Sequence, residues 1–463
     1  MNNFINRQQE LQSLNADYAR PGASLYVLYG RRRLGKTTLL RNFAAGKPAV
    51  YHVADRSAEL DARRLMAGSM SIGLDETTLL SSNFPDWYSL FAAYDRVRPS
   101  GKTILILDEY QYLCEQQPAF SSMVQRWWDE HWRNEQIMVV LCGSALSMMY
   151  RETLARSSPL FGRRTGQYLL QPLRFAHVCE FFPALAPYEM IKMWALTGGI
   201  PRYAELAASY HDFDSALRGL VLTKDGPLYA EARFLLQDEV TISNVYWSLL
   251  HAIGSGVSRI SEVAARVGLA TNQLTRYLST LRDLGMVRRI VPITEPTPEK
   301  SKRGIYQVSD PFLRLWFGCV APYESLVEFG KIEETERLMQ GRRASHMAWA
   351  FEEICRQYVE DVSMQYGAVK VGRFWNKSSE IDVVGVNEEE RVVLAGECKW
   401  SVSALDMVVV RDLRRKVEMN WPNEARSIVL MFFSTGGFTS DVKKWADENG
   451  AFLFGDSALV RSE

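Results

Sequence analysis

Residues 24–44 read SLYVLYGRRRLGKTTLLRNFA, and their order of apolar run, glycine-bounded loop and helical periodicity decides the fold of the first third. Ser24 to Tyr29 is a short apolar stretch of strand-forming residues, and Thr37 to Ala44 repeats its apolar positions at helical spacing. Between them Gly30 to Thr37 satisfies GxxxxGK[ST] in full. Gly30 and Gly35 allow backbone N–H groups to turn inward on phosphates, and the helix start adds positive potential. Lys36 is expected to reach the β and γ phosphates and the Thr37 hydroxyl to ligate Mg2+, with Thr38 beside it. Of Arg31, Arg32 and Arg33 inside the loop, one contacts nucleotide or a neighbouring domain, and Arg33 is counted with the nucleotide site.

A second stretch belongs with the first. KTILILDEYQYL runs apolar from Ile104 to Leu107 and ends in Asp108 and Glu109. A carboxylate at the C-terminal end of a parallel strand meets the metal in the crevice above the sheet. Asp108 is therefore the metal-side residue, and Glu109 is placed to orient or deprotonate the attacking water. MVVLCGSALSMM gives another buried strand, Met138 to Cys142, followed by Ser144. That serine either sits between the γ phosphate and the water or caps a helix. In PLFGRRTGQYLLQPL, Arg163 or Arg164 supplies the guanidinium that offsets transition-state charge.

FINRQQEL, YGRRRLGKTT, LDEYQYL, CGS, FGRRTG and TGGIPRY, in this order, resemble the archaeal-type ATPase family, a STAND branch of the AAA+-related P-loop ATPases. The resemblance covers about residues 1 to 235. It implies an ATP-dependent switch with the adenine near Phe4, Ile5 and Arg7, and with Pro201 and Arg202 facing the nucleotide from a small helical lid.

Length and composition fit several cores. At 463 residues, nearly half of them hydrophobic, about three domains are expected. The 54 Lys and Arg balance the 54 Asp and Glu, so nucleic-acid contact needs a local basic face. The six cysteines are scattered with no CxxC, which argues against a zinc site or a disulfide framework and for a reducing cytoplasm. The opening MNNFINRQQELQSL has no apolar core of a signal peptide, and IMVVLCGSALSMM is too short to span a bilayer. A soluble cytoplasmic protein without a membrane partner is expected, with a second copy or another protein left open as partners.

From Val257 to Val308, Ile260, Val263, Ala264 and Val267 form one helical stripe. Leu274, Tyr277, Leu278, Leu281 and Leu284 form a second after the turn GLAT. MVRRIVPIT and RGIYQV then read as two strands around a Pro/Lys-rich tip. This is winged-helix patterning with the second helix in the recognition position. Its basic excess suits DNA phosphates, while in the STAND branch such domains also serve as a structural hinge.

The last domain is expected from about residue 335. SHMAWAFEEICRQYVEDV is an amphipathic helix with Glu352 at the edge of its buried stripe. FWNKSSEIDVVGV and RVVLAGECKW read as a hairpin joined by NEEE. Alternation puts Glu397 and Lys399 on one face, with Asp382 opposite on the partner strand. Two such carboxylates repel unless a divalent cation lies between them, and a lysine beside it suits phosphodiester cleavage. The pattern is similar to the D…ExK motif of the PD-(D/E)xK nucleases, although Ile381 stands where their proline commonly precedes the aspartate. The resemblance implies Mg2+ held by Asp382 and Glu397, with Glu352 as a further metal residue. Binding-only members of that superfamily keep the fold.

The expected fold class is thus α/β. A P-loop parallel-sheet ATPase domain (1–172) carries a helical lid (173–235), followed by a winged-helix domain (236–325) and a restriction-endonuclease-like α/β domain (335–463). The expected function is an ATP switch coupled to Mg2+-dependent DNA binding or cleavage. The alternative is a nucleotide-controlled signalling or transcription regulator whose last domain only binds.

Overall fold

Strands that lack a polar face have to be covered on both sides, and the first sheet is built that way. A computed structural model describes residues 4–240 and 243–460. The sheet comprises β1 (Ser24–Tyr29), β2 (Ala49–Val53), β3 (Thr103–Asp108), β4 (Ile137–Gly143) and β5 (Gly166–Leu169). β3 and β4 are buried along their whole length. Their order is β2-β3-β4-β1-β5, every pairing parallel. All C-terminal strand ends therefore lie on one edge, which gathers the loops after β1, β3 and β4. An aromatic core holds one face, with the Trp87 and Phe120 rings 4.8 Å apart and Phe91 and Trp132 5.3 Å apart.

By its internal contacts the chain divides into two units, Met1–Pro172 and Leu173–Glu463. The second opens with short helices that include Pro187–Thr197 and Pro201–Ala207. The helices Ser243–Gly254, Ile260–Val267 and Thr271–Asp283 follow, then the antiparallel ribbon β6 (Val287–Ile290) and β7 (Ile305–Val308). Val263, Ala264, Leu274, Leu278, Leu281 and Leu284 are buried, as the apolar stripes require, while Ile260, Val267 and Tyr277 are half-buried. β6 ends before the expected strand does. Pro292 has no N–H to donate, and the Ile293 amide bonds the Arg373 carbonyl at 2.8 Å instead.

The helix Ile332–Val362 begins well upstream of the expected amphipathic stretch and buries Met347, Phe351 and Ile354. It leads into β8 (Lys370–Trp375), β9 (Glu380–Val386) and β10 (Val392–Lys399), an antiparallel meander. The helix Met407–Asn420 then returns the chain to β11 (Val429–Ser434), and Ser440–Asn449 to β12 (Phe452–Phe454). Both late strands run parallel to β10, giving the order β12-β11-β10-β9-β8. Phe374 and Trp375, read from sequence as one strand with Ile381, belong to β8. The Asn376 side chain accepts the Ser378 and Ser379 amides and turns the chain between them.

Among the described residues no helix is long and apolar enough to cross a membrane. The six cysteines are free thiols and all buried.

One buried group sets an acid limit on the second unit. His346 Nε2 lies 2.8 Å from the Ala195 carbonyl, so it carries the proton, while Nδ1 is buried without a partner. Burial pushes its pKa down to about 3, and Arg314 adds to this. The unfolded imidazole titrates near 6.5. The contribution is intact above that value and is lost as pH falls, because the unfolded chain takes up a proton that the folded one refuses. From pH 6.5 to 5 the loss is about 2 kcal/mol. Urea unfolding should show it, and His346→Gln, which keeps a donor near Nε2, should flatten that acid limb.

Candidate functional site

The loop after β1 is fixed by close packing. A Cβ at Gly30 would lie 2.8 Å from the Leu170 carbonyl oxygen, and Gly35 has φ +85°, which favours glycine. Arg33 also takes a left-handed conformation, φ 69°. Lys36 is buried, and its ammonium donates to the Gly30 and Arg31 carbonyls at 2.7 and 3.0 Å. Thr37 and Thr38 open the helix Lys36–Ala44 at the positive end of its dipole. The Thr37 hydroxyl donates to Asp108 Oδ2 at 2.8 Å, joining the helix start to the end of β3. Tyr51, in the middle of β2, donates to the same oxygen at 2.6 Å. Burial first and then Asp108 raise that phenol far above its ordinary value, so Tyr51 is a donor throughout the usable pH range.

Glu109 sits at φ 53°, ψ 41°, which is unusual for a residue with a side chain. Its Oε2 accepts the Ser144 hydroxyl at 2.7 Å and the Gln111 amide. The loops after β3 and β4 are thereby tied through one carboxylate. Ser144 does not cap the short helix that follows. Ser144→Ala removes a hydrogen bond to a charged group, and hydrolysis should fall about tenfold with ATP affinity little changed. Parallel turnover and nucleotide-binding titrations check this.

Sequence reasoning missed Gln111 and Tyr51. Gln111 carried a weak signal, two residues beyond the acidic pair, and Tyr51 carried none.

The arginines divide. Arg7 is buried at φ 71° and donates to the Leu34 and Gln171 carbonyls and to Glu10, so its guanidinium is engaged in holding the loop. Arg163 forks onto Asp129 at 2.8 and 2.7 Å. Arg164 bonds Gln167, but its Nε is buried without a partner among the described residues. It also lies close enough to Tyr29, the last residue of β1, to oppose the rise that burial gives that phenol. Pro201 belongs to the second unit, at the start of the helix Pro201–Ala207.

In the second unit Gly396 of β10 pairs with Val383 of β9, and one step further Asp382 Oδ2 accepts the Cys398 amide at 2.9 Å. Glu397 is buried, and its two oxygens accept Lys399 at 2.7 Å and Lys416 at 3.2 Å. Burial, then Glu352, then Glu397 push the Asp382 carboxyl up to about 7. Excess negative charge in a partly closed site is what a cation relieves, and in that respect Asp382 and Glu397 suit Mg2+. Glu352 is held differently: Arg373 and Arg356 lie 3.6 and 3.7 Å from it. Among the described residues no three His, Cys, Asp or Glu are gathered as metal ligands.

Two further residues belong to this site. Lys416 reaches into the site from the helix Met407–Asn420, its ammonium also 3.0 Å from Asp412. Arg356 is buried and donates to the Asp382 carbonyl at 3.1 Å. It shares Glu353 with Arg288 of β6, so one chain of ion pairs runs from the ribbon to the strand that carries Asp382. Burial alone would raise Glu353, but Arg288 and Arg356 outweigh it and hold the carboxyl well below the usual range.

The first unit thus has the sheet and cradle of a phosphate-loop nucleotide-binding protein. Residues 4–206 match a family described as an ATPase domain predominantly from Archaea. Residues 316–411 match one described as archaeal and bacterial proteins of unknown function. An uncharacterized protein of Methanocaldococcus jannaschii is 29% identical over 424 residues, 90% of this chain and 92% of the relative. An uncharacterized ATP-binding protein of the same organism is 46% identical over 44 residues, 10% of this chain and 75% of that protein. Among solved structures, a Walker-type ATPase of Pyrococcus abyssi is similar with a TM-score of 0.53 at 18% identity, covering 68% of this chain and 95% of that one. The cradle described above lies within the residues that match the ATPase-domain family.

Proposed function

We propose that ATP binding and hydrolysis in the first unit switch a phosphodiester-cleaving site on β9 and β10 of the second. At the nucleotide, Lys36 binds the β and γ phosphates, while Thr37 and Asp108 would hold Mg2+, which spreads the charge on those phosphates. Glu109 orients and deprotonates water. Ser144 and Gln111 fix its carboxylate, and Arg164 rather than Arg163 offsets developing charge. In the second unit Asp382 and Glu397 would hold a divalent ion, which acidifies water and offsets phosphate charge. Lys399 orients the nucleophile, and Lys416 holds the second oxygen of Glu397.

The observation that carries the cleavage reading is Asp382 beside Glu397 on paired strands, with Lys399 bonded to Glu397 from the same strand. Incubating the full chain with linear and circular DNA, Mg2+ and ATP tests it. Cleavage that disappears in Asp382→Ala is the expected result. The lack of a third gathered ligand among the described residues favours a second reading, in which the domain binds DNA without cutting. No cleavage with any divalent metal or nucleotide would establish that reading instead.

A further inference from the structure

Between the ribbon and the C-terminal sheet lies a groove of about 980 Å³ with an unusual charge balance. It is lined by Arg259 and Ser261 at the start of the helix Ile260–Val267, by Lys302 and Arg303 before β7, and by Trp375 and Lys377 at the β8–β9 turn. Arg303 is paired with Glu295 at 2.6 Å, and Glu380, the acid that lines the groove, is paired with Arg373. Arg259, Lys302 and Lys377 are exposed, and no ion pair or hydrogen bond engages their charged groups among the described residues. Three unpaired cations from three distant parts of the chain therefore converge on one trough whose single lining acid is already paired. Like charges brought together in this way repel, unless an anionic ligand occupies the space between them.

The geometry points to this groove as the seat of one phosphodiester backbone of duplex DNA. Hydroxyls and cations on a rim with a single large aromatic suit phosphate oxygens, which accept from exactly such side chains and from helix-start amides. A protein partner would need a cluster of buried apolar anchors, whereas the groove sets Trp375, Ile260 and Ile305 among four serines and the unpaired cations. The volume takes a few nucleotides of one strand, not a whole helix. Direction follows as well. Glu380 begins β9, and Asp382 lies two residues along on the same face. A backbone seated against Lys377 is thus led toward the carboxylate pair. The inference rests on the reading that the second unit engages DNA, and it names the surface that does so.

The test uses the full chain with a fluorescent 30-base-pair duplex in EDTA, so that binding is read without cleavage. Arg259→Glu, Lys302→Glu and Lys377→Glu are combined. All three sites are exposed, so the melting temperature should stay within about 2 °C. Affinity at 0.1 M salt should fall at least about 30-fold, and the slope of log Kd against log salt should shrink by about 3, close to one per lost phosphate contact. A control with the same charge change elsewhere, Lys224→Glu, Lys443→Glu and Lys444→Glu, should retain affinity and slope. Equal losses in the two triple variants would overturn the groove in favour of a diffuse charge effect. Wild-type binding by the groove variant would overturn it while leaving DNA engagement standing. Failure of the wild type to bind any DNA would remove both. Tighter binding of a single strand of the same sequence would overturn the duplex assignment.

Discussion

Glu109→Gln is expected to hold ATP with an affinity near wild type and to hydrolyse it roughly 10²–10⁴-fold more slowly. The groups that bind phosphate stand apart from it: Lys36 bonds loop carbonyls, and Thr37 is joined to Asp108. Glutamine keeps the shape of the side chain and can still accept from Ser144 through its oxygen, so the loop after β3 has no reason to move. What it cannot do is take a proton from water. The left-handed backbone at Glu109 supports the same division of labour, since that conformation costs about 1–3 kcal/mol and persists where it aims a functional side chain. Lys36→Ala, by contrast, should lose nucleotide affinity itself. Single-turnover hydrolysis and binding of a fluorescent ATP analogue separate the two variants. Equal and negligible hydrolysis by wild type and Glu109→Gln would mean that ATP is a structural clamp.

The cradle was readable because its chemistry is local. Gly30 to Thr37 are contiguous, and Asp108 announces itself at the end of an apolar strand; parallel pairing then brings the strand ends together. The Asp382–Glu397–Lys399 face was readable for a related reason, since period-two alternation across a hairpin fixes which side chains meet. Arginine roles were not readable. Arg7, Arg163 and Arg164 look alike in sequence, and what distinguishes them is a partner more than 20 residues away: Leu34, Asp129 or none for one nitrogen. Long flexible cations take whatever acceptor the fold supplies, which periodicity does not encode. Lys416 illustrates the same point, because a solvated helix face and a site-lining lysine share one sequence pattern. The early start of the helix Ile332–Val362 escaped because its first turns are charged and exposed, and only its later half carries a continuous buried stripe.

Asp382→Asn is expected to abolish metal-dependent cleavage, by about 10³-fold or more if the site works as proposed, and at the same time to stabilise the metal-free protein. Both effects come from one charge. A neutral amide oxygen is a weaker ligand for a divalent ion than a carboxylate and cannot balance the charge that such an ion brings. In EDTA, however, the carboxylate is a liability: burial and the neighbouring Glu352 and Glu397 push it up to about 7, well above the unfolded value near 3.9. The sign follows from linkage. Between about pH 4 and 7 the unfolded chain loses this proton while the folded one keeps it, so stability falls as pH rises, and the full penalty is present above 7. Relieving it is worth about 2–4 kcal/mol, shared with the other two carboxylates. The amide oxygen can still accept from the Cys398 N–H, which keeps β9 and β10 in register. Melting temperatures in EDTA should therefore be alike for variant and wild type at pH 4 and diverge by pH 8, with the variant higher. Added Mg2+ should raise the wild type alone, by mass action on the folded state. A variant that loses cleavage but melts lower at pH 8 would mean that Asp382 is a structural residue, and that the acidic pair was never arranged for a cation.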